Sequence, residues 1–527
     1  MLWRLEIAAP VAGLVTGLYF VFEPIIRSGF TRIFDGLGDV RLVNYSLEHS
    51  YRWLAGYPLH ADLWSPPLFY PHHNVAAYTD LVVGFAAPYW GFRAFGLAPE
   101  TAYLAWMLVV WTLNFAAVYL LLRKGFSIGA LGSSLGAFLF TFASPRSASI
   151  VHQQLVPWFF LVLGVAAIMV VFGDGEHPPR SRRIWIVLFF AAMVLQAYGA
   201  MYPLYFFALG VGVVLLASLI VDDWRRSLVA ALRRDGVTIG VAGVVAVAAL
   251  VPLASHYLQV ADEVGVRAYP AALLPRLVSW VLMGQTHPWY GWLQQRGGPF
   301  FQTRAAFHSN GVGPITTLVA MIGLYWGRGR KGVRLLVIMA AALMLMSTVF
   351  PGGFTFWRHV YDYLPGANAL RAVGRIGLVL LLPLGLGVAL CFDRLYAQAR
   401  YLPLVLLAAL MIAEQNHEIR YRAREPLQRY IAELSEKLDP GCEAFFLAST
   451  GRLRYPHAHD DAAWVSLRTG IPTVNGRYGN FPPEYLLRDA HLRTNADRPG
   501  LRRAFDYWLE VNGLPARRIC WIETSGF

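Results

Sequence analysis

Long apolar runs separated by short basic segments occupy most of this chain. Eleven of the runs reach, or nearly reach, the roughly 20 residues that a helix needs to cross a bilayer. They cover residues 5–26, 101–122, 127–145, 153–172, 184–200, 202–221, 236–254, 311–327, 333–350, 375–392 and 401–415. The pattern predicts an all-α polytopic membrane protein with about eleven transmembrane helices.

The basic residues between these runs predict the orientation of the chain. Cytoplasmic loops of membrane proteins carry an excess of Lys and Arg. The clusters are Arg4; Arg123 and Lys124; Arg180, Arg182 and Arg183; Arg225, Arg226, Arg233 and Arg234; Arg328, Arg330 and Lys331; and Arg394 with Arg400. If all of them face the cytoplasm, the N-terminus is cytoplasmic. The longer polar regions 27–100, 146–152, 255–310 and 351–374 then lie outside.

The segment from Thr79 to Gly96 does not fit a simple count of apolar runs. It is apolar enough to be read as a span, but a crossing here would invert every later basic cluster. It also contains Asp80, Pro88 and Arg93. We therefore expect an interfacial or re-entrant helix within the first outer loop. An ordinary span that violates the charge rule is the alternative.

The last 110 or so residues have a different composition. Apolar residues recur at helical spacing over 426–438, and strand-like runs follow at 442–449 and 518–524. The centre, 470–485, is rich in Pro and Gly. We interpret 1–415 as a transmembrane domain and 416–527 as a small α+β extracytoplasmic, or periplasmic, domain. Within the first, 27–100 forms an outer loop with juxtamembrane helices, and 255–310 forms a second large outer loop.

Composition agrees with a membrane protein. Of the 527 residues, 56% are hydrophobic and only 15% are charged, against about 25% charged in soluble domains. The net charge of +13 is almost entirely Arg. Because basic residues in such a chain mark cytoplasmic loops, we expect no nucleic-acid partner. The first apolar run is too long for the core of a signal peptide and is interpreted as an uncleaved span.

Cysteine is scarce. Cys391 falls in an apolar run, whereas Cys442 and Cys520 fall in the two strand-like runs of the tail. An oxidising compartment would allow these two to form a disulfide. Two buried free thiols are an equal alternative. No Cys and His spacing indicates a zinc site.

Two carboxylates lie just where the chain leaves its first span. Asp39 opens a helix-like stretch, and its side chain could act as a general base at the membrane surface or simply cap the helix. Asp35 is followed closely by Gly36 and Gly38, and these glycines favour a turn at this position. Ionisable groups at a membrane boundary are functional candidates.

Several short motifs, taken in order, resemble the GT-C fold membrane glycosyltransferases. The residues that carry the resemblance are FDGLGDVRLVNYSLEHSYRWL (34–54), LWSPPLFYPHHNVAAYTDLVVG (63–84), IVHQQLVPW (150–158), NALRAVGRI (368–376) and WVSLRTGIPTVNGRYGNFPP (464–483). The resemblance implies a GT-C-like transmembrane domain. It also implies a bacterial enzyme of the inner (cytoplasmic) membrane that uses polyprenyl-phosphate-linked sugar donors.

The resemblance further implies a reaction on the outer face of the membrane. A glycan, lipid or protein acceptor would attack the sugar, with Asp39 as the catalytic base and Asp35 as its alternate. Many GT-C enzymes carry a second acid in the second outer loop, often a metal ligand. Here that loop reads SPRSASIVHQQ, and His152 is the only candidate in its place. We therefore expect no metal and no other cofactor, although a divalent metal stays an alternative.

Candidate substrate-binding residues come from several loops. Arg371 and Arg375 are four residues apart and could present paired guanidinium groups to the carrier phosphate, or simply snorkel. Arg267, Arg276, Arg296 and Arg304 could join them. Further candidates lie in the Pro-rich first loop: Tyr70, His72, His73 and Asp80.

Two other readings of the chain stay open. A secondary transporter usually shows inverted repeats and charges at the membrane midplane, and neither is evident in this sequence. A non-catalytic factor for lipid or polysaccharide assembly would share the fold without the chemistry. Loss of Asp39 distinguishes the last reading from an enzyme, because a non-enzyme should tolerate it.

The topology predicts an outer location for the end of the first loop. A cysteine introduced as Ala98→Cys should react with a membrane-impermeant maleimide added from outside intact cells, because 79–96 does not cross. Labelling only after the cytoplasmic side is exposed would contradict the predicted topology. The unmodified protein is the control for background labelling.

Overall fold

The computed structural model describes residues 2–36, 38–173, 175–265, 267–296, 308–450 and 457–525. Helices dominate these ranges. The α-helices are α1 Leu2–Arg27, α2 Asp39–Leu54, α3 Ala87–Ala94, α4 Pro99–Leu120, α5 Ala130–Phe142, α6 Ser144–Ala148, α7 Phe159–Phe172, α8 Pro179–Gly199, α9 Met201–Ile220, α10 Asp222–Val264, α11 Gly291–Arg296, α12 Pro314–Gly327, α13 Lys331–Ser347, α14 Trp357–Tyr363, α15 Gly377–Ala397, α16 Tyr401–Glu414, α17 Glu425–Glu436, α18 Ala458–Thr469 and α19 Arg498–Val511. The strands are β1 Arg32–Phe34, β2 Tyr421–Ala423, β3 Ala444–Thr450, β4 His491–Leu492 and β5 Ile519–Thr524.

The protein is a multi-pass membrane protein. Within the described ranges, seven helical segments are long and apolar enough to cross a bilayer. They are Glu6–Arg27, Pro99–Gly125, Gln153–Phe172, Pro179–Gly199, Met201–Ile220, Asp222–Val264 and Val373–Ala397. Each corresponds to one of the predicted runs. The predicted total of eleven is not confirmed, because the other four runs form the shorter helices α5, α12, α13 and α16 of 13, 14, 17 and 14 residues.

The chain divides into two compact units. We call Met1–Glu23, Met107–Leu250 and Arg267–Ile419 the span unit. We call Pro24–Trp106, Val251–Val266 and Arg420–Phe527 the loop–tail unit. The loop–tail unit therefore joins most of the first loop to the tail, whereas the sequence suggested a division near residue 415. Long-range pairing within the loop–tail unit, described below, accounts for this difference.

Glycine allows close helix packing in the span unit. A side-chain carbon on Gly323 of α12 would lie 1.8 Å from the carbonyl oxygen of Gly387 in α15, and one on Gly136 of α5 would lie 2.4 Å from that of Gly385. Neither position can accept a larger residue without moving a backbone. Small residues at such crossings let membrane helices approach closely. The α15 helix is accordingly buried between α5 and α12.

A buried carboxylate organises one helix start in the same unit. Glu414, at the end of α16, accepts hydrogen bonds from the Ile315 and Thr316 backbone amides at 3.1 and 2.7 Å and from the Thr316 hydroxyl at 2.7 Å. The Tyr290 hydroxyl also donates to it, at 2.9 Å. These amides are the first-turn donors of α12, which lack partners within the helix. An anion is favourable at such a helix N-terminus.

Two small sheets build the loop–tail unit. Strands β1 and β2 pair in antiparallel fashion, with Ile33 opposite Arg422. The second sheet has the order β4-β3-β5 and is parallel, with Phe445 opposite Cys520. Side chains from the first loop and the tail share one core, in which Phe69 packs edge-on against Tyr485 at 5.0 Å between ring centroids. Burial of such large aromatic groups is a major source of stability.

The tail agrees with the sequence analysis where the local pattern was strong. The helix predicted over 426–438 is α17, and the strands predicted over 442–449 and 518–524 are β3 and β5. Helices α18 and α19 were not predicted. Helix α18 is buried along most of its length, so it lacks the one-sided apolar pattern that identifies a surface helix.

The segment 79–96 does not form a spanning helix, as predicted. Its regular structure is a short 3₁₀ turn, Val83–Phe85, followed by α3. Helix α3 has eight residues and is therefore about 12 Å long, well short of the about 30 Å of a bilayer core. Its interfacial position in the membrane stays a prediction.

Cys442 and Cys520 form a disulfide with a Cα–Cα distance of 5.8 Å, and 78 residues separate them in sequence. The predicted proximity is confirmed. The bond ties the N-terminal end of β3 to its neighbour β5, with most of the tail enclosed in the loop. Cys391 is a buried free thiol.

Removing this disulfide should destabilise the loop–tail unit. The double variant Cys442→Ser, Cys520→Ser should lose about 2–4 kcal/mol of stability, because a cross-link over a long loop restricts the unfolded chain. Thermal unfolding of the purified protein, followed by limited proteolysis of the tail, measures the loss. The matched control is Cys391→Ser, which should leave proteolysis of the tail unchanged. Equal protease resistance in the double variant would contradict a stabilising disulfide.

Candidate functional site

Asp39 occupies the first helical position of α2, in the loop–tail unit. The residue at the cap position is Gly38, and no side chain caps this helix start. The alternative that Asp39 is the N-cap residue is therefore wrong. A carboxylate in the first turn still interacts favourably with the helix dipole.

A buried ion pair fixes the start of α2. Arg41, two residues after Asp39, donates through Nη1 to Asp461 Oδ1 at the start of α18. The two side chains are 5% and 0% exposed, so the pair is shielded from water. Loss of one partner of such a pair leaves a buried uncompensated charge. The pair therefore holds the first turns of α2 and α18 together.

A second ion pair lies beside the backbone of Gly38. Arg477 Nη1 donates to Asp460 Oδ2 at 3.1 Å, and His457 Nδ1 lies 3.1 Å from the same oxygen. A side-chain carbon on Gly38 would come within 3.0 Å of both terminal nitrogens of Arg477. Glycine thus lets this guanidinium group approach the chain directly before Asp39. The positive charge of Arg477, a residue of the tail, therefore lies beside the backbone just before Asp39.

Asp35, the alternate base, has a structural partner. Arg422 Nε donates to its Oδ1 at 2.7 Å, and the Asp35 amide donates to the Arg420 carbonyl at 2.8 Å. These bonds extend the β1–β2 pairing by one residue. Asp35 therefore holds the first loop to the tail, a role that needs no part in catalysis.

A carboxylate network supports α2 further along. Glu48 is fully buried and accepts hydrogen bonds from Arg93 Nε at 2.7 Å and Arg52 Nε at 2.9 Å. The Tyr89 hydroxyl also donates to it, at 2.8 Å. Arg93 and Tyr89 belong to α3, so the network attaches α3 to α2. This attachment explains why the apolar segment 79–96 folds onto the first loop.

The Pro-rich loop candidates separate into different surroundings within the loop–tail unit. His72 Nε2 lies 2.9 Å from the Tyr78 hydroxyl and 3.7 Å from Glu263 Oε2. Burial lowers the pKa of His72, which nearby Glu263 partly opposes. The Tyr70 hydroxyl donates to Glu443 Oε1 at 2.8 Å. These contacts join the first loop to α10 and to the tail.

The remaining two first-loop candidates differ in exposure. His73 is exposed. Asp80 is half-buried and lies at a small cleft that His49 and Tyr478 also line.

Arg371 and Arg375 meet at one tyrosine in the span unit. The Tyr202 hydroxyl accepts hydrogen bonds from the Arg371 and Ala372 amides at 2.9 and 3.3 Å, and the Arg375 guanidinium lies 4.8 Å from the Tyr202 ring centroid. The two arginines, four residues apart in sequence, do not lie on one α-helix. Residues 373–376 form a 3₁₀ turn, and α15 begins at Gly377. The tyrosine, rather than helical spacing, brings them together.

One of the further arginine candidates joins this group. Arg267 is half-buried, and its pKa is lowered mainly by burial and further by the positive charge of Arg371. Arg371 itself is exposed, and no carboxylate pairs with it in the described part of the chain. We call Arg267, Arg371 and Arg375 the arginine group. Arg304 lies outside the described residues.

His152 lies in the span unit, directly before a 3₁₀ turn at Gln153–Leu155. The side chain near it that sequence reasoning missed is Arg146. It is fully buried, donates to the Phe140 and Val156 carbonyls at 3.0 and 3.2 Å, and lies 5.5 Å from the Trp158 ring. These contacts order the second loop from within.

The site residues that sequence reasoning missed are mostly charged partners from the tail. They are Arg41, His457, Asp460, Asp461 and Arg477. The adjacent acids at 460 and 461, just before the apolar AAWV, were a signal of a helix start that could have been used. Among the described residues, no group of three or more His, Cys, Asp and Glu side chains is arranged to hold a metal ion.

No protein-family model matches the sequence, and no curated protein matches it. Among solved structures, the chain is similar to ArnT from Cupriavidus metallidurans in the apo state, at 14% identity and a TM-score of 0.45, over 88% of this chain and 84% of ArnT. It is also similar to ArnT from the same organism bound to undecaprenyl phosphate, at 13% identity and a TM-score of 0.44, over 88% of each chain.

A third similar structure is the Archaeoglobus fulgidus oligosaccharyltransferase in the apo form, at 13% identity and a TM-score of 0.45. The match covers 90% of this chain but only 65% of that one. Likeness at these TM-scores assigns no function to this chain.

The arginine group should bind a multivalent anion. Inorganic pyrophosphate at low ionic strength should raise the melting temperature of the purified protein. The Arg371→Gln variant should need about tenfold more pyrophosphate for the same rise in melting temperature, because a hydrogen bond to a charged group contributes about 1.5–3 kcal/mol. Arg371→Lys should recover only part of it, since lysine lacks the bidentate fork.

The matched control is Arg358→Gln. Arg358 is an exposed arginine of α14 that already pairs with Asp362 at 2.8 Å. An equal pyrophosphate response in the Arg358 and Arg371 variants would contradict anion binding by the arginine group.

Proposed function

We propose that the protein is a membrane glycosyltransferase of the GT-C type. It transfers a sugar from a polyprenyl-phosphate-linked donor to an acceptor at the membrane surface. The observation that carries the proposal is the arginine group in a protein with several membrane spans. The sequence motifs that resemble the GT-C enzymes support the same reading.

Burial is the main cause of the lowered pKa of Arg267, and the positive charge of Arg371 adds to it. An anion that binds the arginine group would offset this positive charge. Phosphate is the anion whose geometry best matches several guanidinium forks. The start of α15, a helix of 21 residues, adds the positive end of a helix dipole next to Arg371 and Arg375. A lipid-linked phosphate suits this group because α15 belongs to a membrane-spanning segment.

Departure of a polyprenyl phosphate develops negative charge on the phosphate as the glycosidic bond breaks. Cations that are already in place lower the barrier by stabilising this charge. The arginine group would do so from the start of α15, where Tyr202 fixes the backbone at Arg371 and packs against Arg375. The bond that forms joins the anomeric carbon to the acceptor hydroxyl oxygen.

The proton of that hydroxyl needs a base, and we assign this role to Asp39. Asp35 is tied to Arg422 in the β1–β2 pairing. Asp39 lies at a helix start between Gly38, whose backbone is beside Arg477, and Arg41, which pairs with Asp461. A carboxylate fixed by its neighbours can keep the geometry that proton transfer requires. The mechanism calls for no metal ligand in the second loop, SPRSASIVHQQ, which has no acid.

The reaction face and the cellular compartment belong to the same proposal. A disulfide in the loop–tail unit favours an oxidising compartment. The basic clusters favour a cytoplasmic location for the short loops of the span unit. We therefore place the loop–tail unit on the periplasmic side of a bacterial inner membrane, with the N-terminus in the cytoplasm. The acceptor there is a glycan, a lipid or a protein.

Asp39→Asn should abolish most transfer without unfolding the protein. The amide keeps the shape of the side chain but is not basic, and general-base catalysis contributes typically 10²–10⁴-fold. The assay follows release of polyprenyl phosphate from radiolabelled lipid-linked sugars in nanodiscs that contain the purified protein and a membrane extract as the acceptor source. Melting temperature checks the fold of each variant.

Asp35→Asn is the matched control for Asp39→Asn. It should lower the melting temperature through loss of the Arg422 pair, while the folded fraction keeps transfer activity. A folded Asp39 variant with full activity would remove the assigned base. If Asp35→Asn alone were inactive, the base would be Asp35. If both variants were fully active, the enzyme reading itself would fail in favour of an assembly factor.

A further inference from the structure

The loop–tail unit encloses a cavity of about 420 Å³. Its walls come from α2, the first turn of α4, α17 and α18, and Asp39 is not among its lining residues. The volume lies within the about 300–1,000 Å³ of small-molecule sites. The lining includes apolar side chains, such as Leu427 and Ile431, and guanidinium groups.

Positive charge exceeds negative charge along this cavity. Its lining includes Arg41, Arg52, Arg424 and Arg468 but one acid, Glu100. Arg41 is neutralised by Asp461, and Arg52 shares Glu48 with Arg93.

The other two cavity arginines have no carboxylate partner among the described residues. Arg424 donates to the Thr101 hydroxyl at 2.7 Å. Arg468 is exposed and forms no described ion pair. Two cations therefore face the cavity against the single carboxylate of Glu100, and this excess of positive charge favours an anionic ligand.

Two buried polar atoms of the lining lack hydrogen-bond partners among the described residues. They are the Asn44 Oδ1 acceptor and the Trp464 Nε1 donor. Asn44 is only 4% exposed. An unpartnered buried polar group costs about 1–3 kcal/mol, so both atoms favour a ligand with groups that donate and accept. A hydroxyl group does both.

The lining thus combines an excess of arginines, two aromatic side chains and an unpaired donor and acceptor. Trp464 and Tyr103 supply aromatic surface, against which the apolar face of a sugar ring can pack. A fully ionised inorganic anion such as sulfate would use the arginines but has no donor for the Asn44 acceptor. A fatty acid would likewise offer no donor to Asn44.

We propose that this cavity binds an acidic saccharide, a sugar unit that carries a carboxylate or phosphate group. Arg424 and Arg468 contact the anionic group, and Asn44 and Trp464 contact ring hydroxyls. The site does not depend on the proposed transfer reaction or on Asp39. It gives the loop–tail unit a way to hold a charged glycan.

Saturation-transfer NMR on the full-length detergent-solubilised protein tests the site. The probes are the acidic disaccharides cellobiouronate and cellobiose 6′-phosphate, their neutral parent cellobiose, and inorganic phosphate as competitor. At least one acidic disaccharide should bind saturably at millimolar concentration. Cellobiose should bind at least tenfold more weakly, and an equal concentration of phosphate should not displace the acidic ligand.

Two variants examine the charge and the hydrogen-bond contacts separately. Arg424→Gln with Arg468→Gln should weaken binding of the acidic ligand by about tenfold or more and make it resemble cellobiose. Trp464→Phe keeps an aromatic ring but removes the Nε1 donor. It should weaken binding of the acidic ligand and of cellobiose by a similar factor, smaller than that of the double arginine variant. The matched control is Arg429→Gln, on an exposed face of α17 where Arg429 pairs with Glu425; it should bind like the unmodified protein.

Several outcomes would overturn the proposal. They are failure of both acidic disaccharides to bind, equal binding of cellobiose, displacement by phosphate, or unchanged binding in the double arginine variant. Asp39→Asn should bind the acidic ligand normally. Loss of transfer activity with retained binding, or the reverse, distinguishes failure of the proposed enzyme from failure of this site. Melting temperatures exclude misfolded variants from either comparison.

Discussion

The buried ion pair between Arg41 and Asp461 is the constraint on which the loop–tail unit depends. It joins residues 420 positions apart in sequence, and neither side chain can lose its partner without leaving a charge in the core. Breaking one side of such a pair typically costs about 3–5 kcal/mol. The pair fixes the first turn of α2, where Asp39 lies, against the first turn of α18. Other interactions stabilise the same unit: the Arg477–Asp460 pair, the disulfide and the β1–β2 pairing.

Charge is used in opposite ways in the two units. In the loop–tail unit, arginines near α2 mostly face carboxylates, so they stabilise the fold; Arg424 and Arg468, in the cavity wall, are the exceptions. In the span unit, the positive charge of Arg371 adds to burial in lowering the pKa of Arg267. Under the proposed function, a carrier phosphate would offset this positive charge. The proposed function follows from this difference.

Much of the fold could be predicted from the sequence because local patterns of apolar and polar residues determine it. Apolar runs located the long helices, and strand-like runs located β3 and β5 with their cysteines. The count of spans was less certain, since α5, α12, α13 and α16 are too short for the length rule that identified the others. Close packing through glycines such as Gly323 and Gly387 is invisible to hydropathy.

The candidate site was harder to predict because its contacts are long-range. Asp39 was chosen for its place after the first span, and Arg371 and Arg375 for their spacing; their roles stay predictions. In the structure, the Arg371 amide and the Arg375 guanidinium both contact Tyr202, and no α-helix carries the two residues. Arg41, Asp461 and Arg477 could not be ranked by any local pattern, because each derives its role from a residue elsewhere in the chain.

Binding of the carrier phosphate by the arginine group can be tested by a cryo-electron microscopy structure of the protein in nanodiscs with a saturating polyprenyl phosphate. We expect density for the phosphate within hydrogen-bond distance of Arg371, about 2.7–3.2 Å from its guanidinium nitrogens, with Arg267 and Arg375 next to the same group. A phosphate bound elsewhere, with the arginine group unoccupied at saturation, would contradict it.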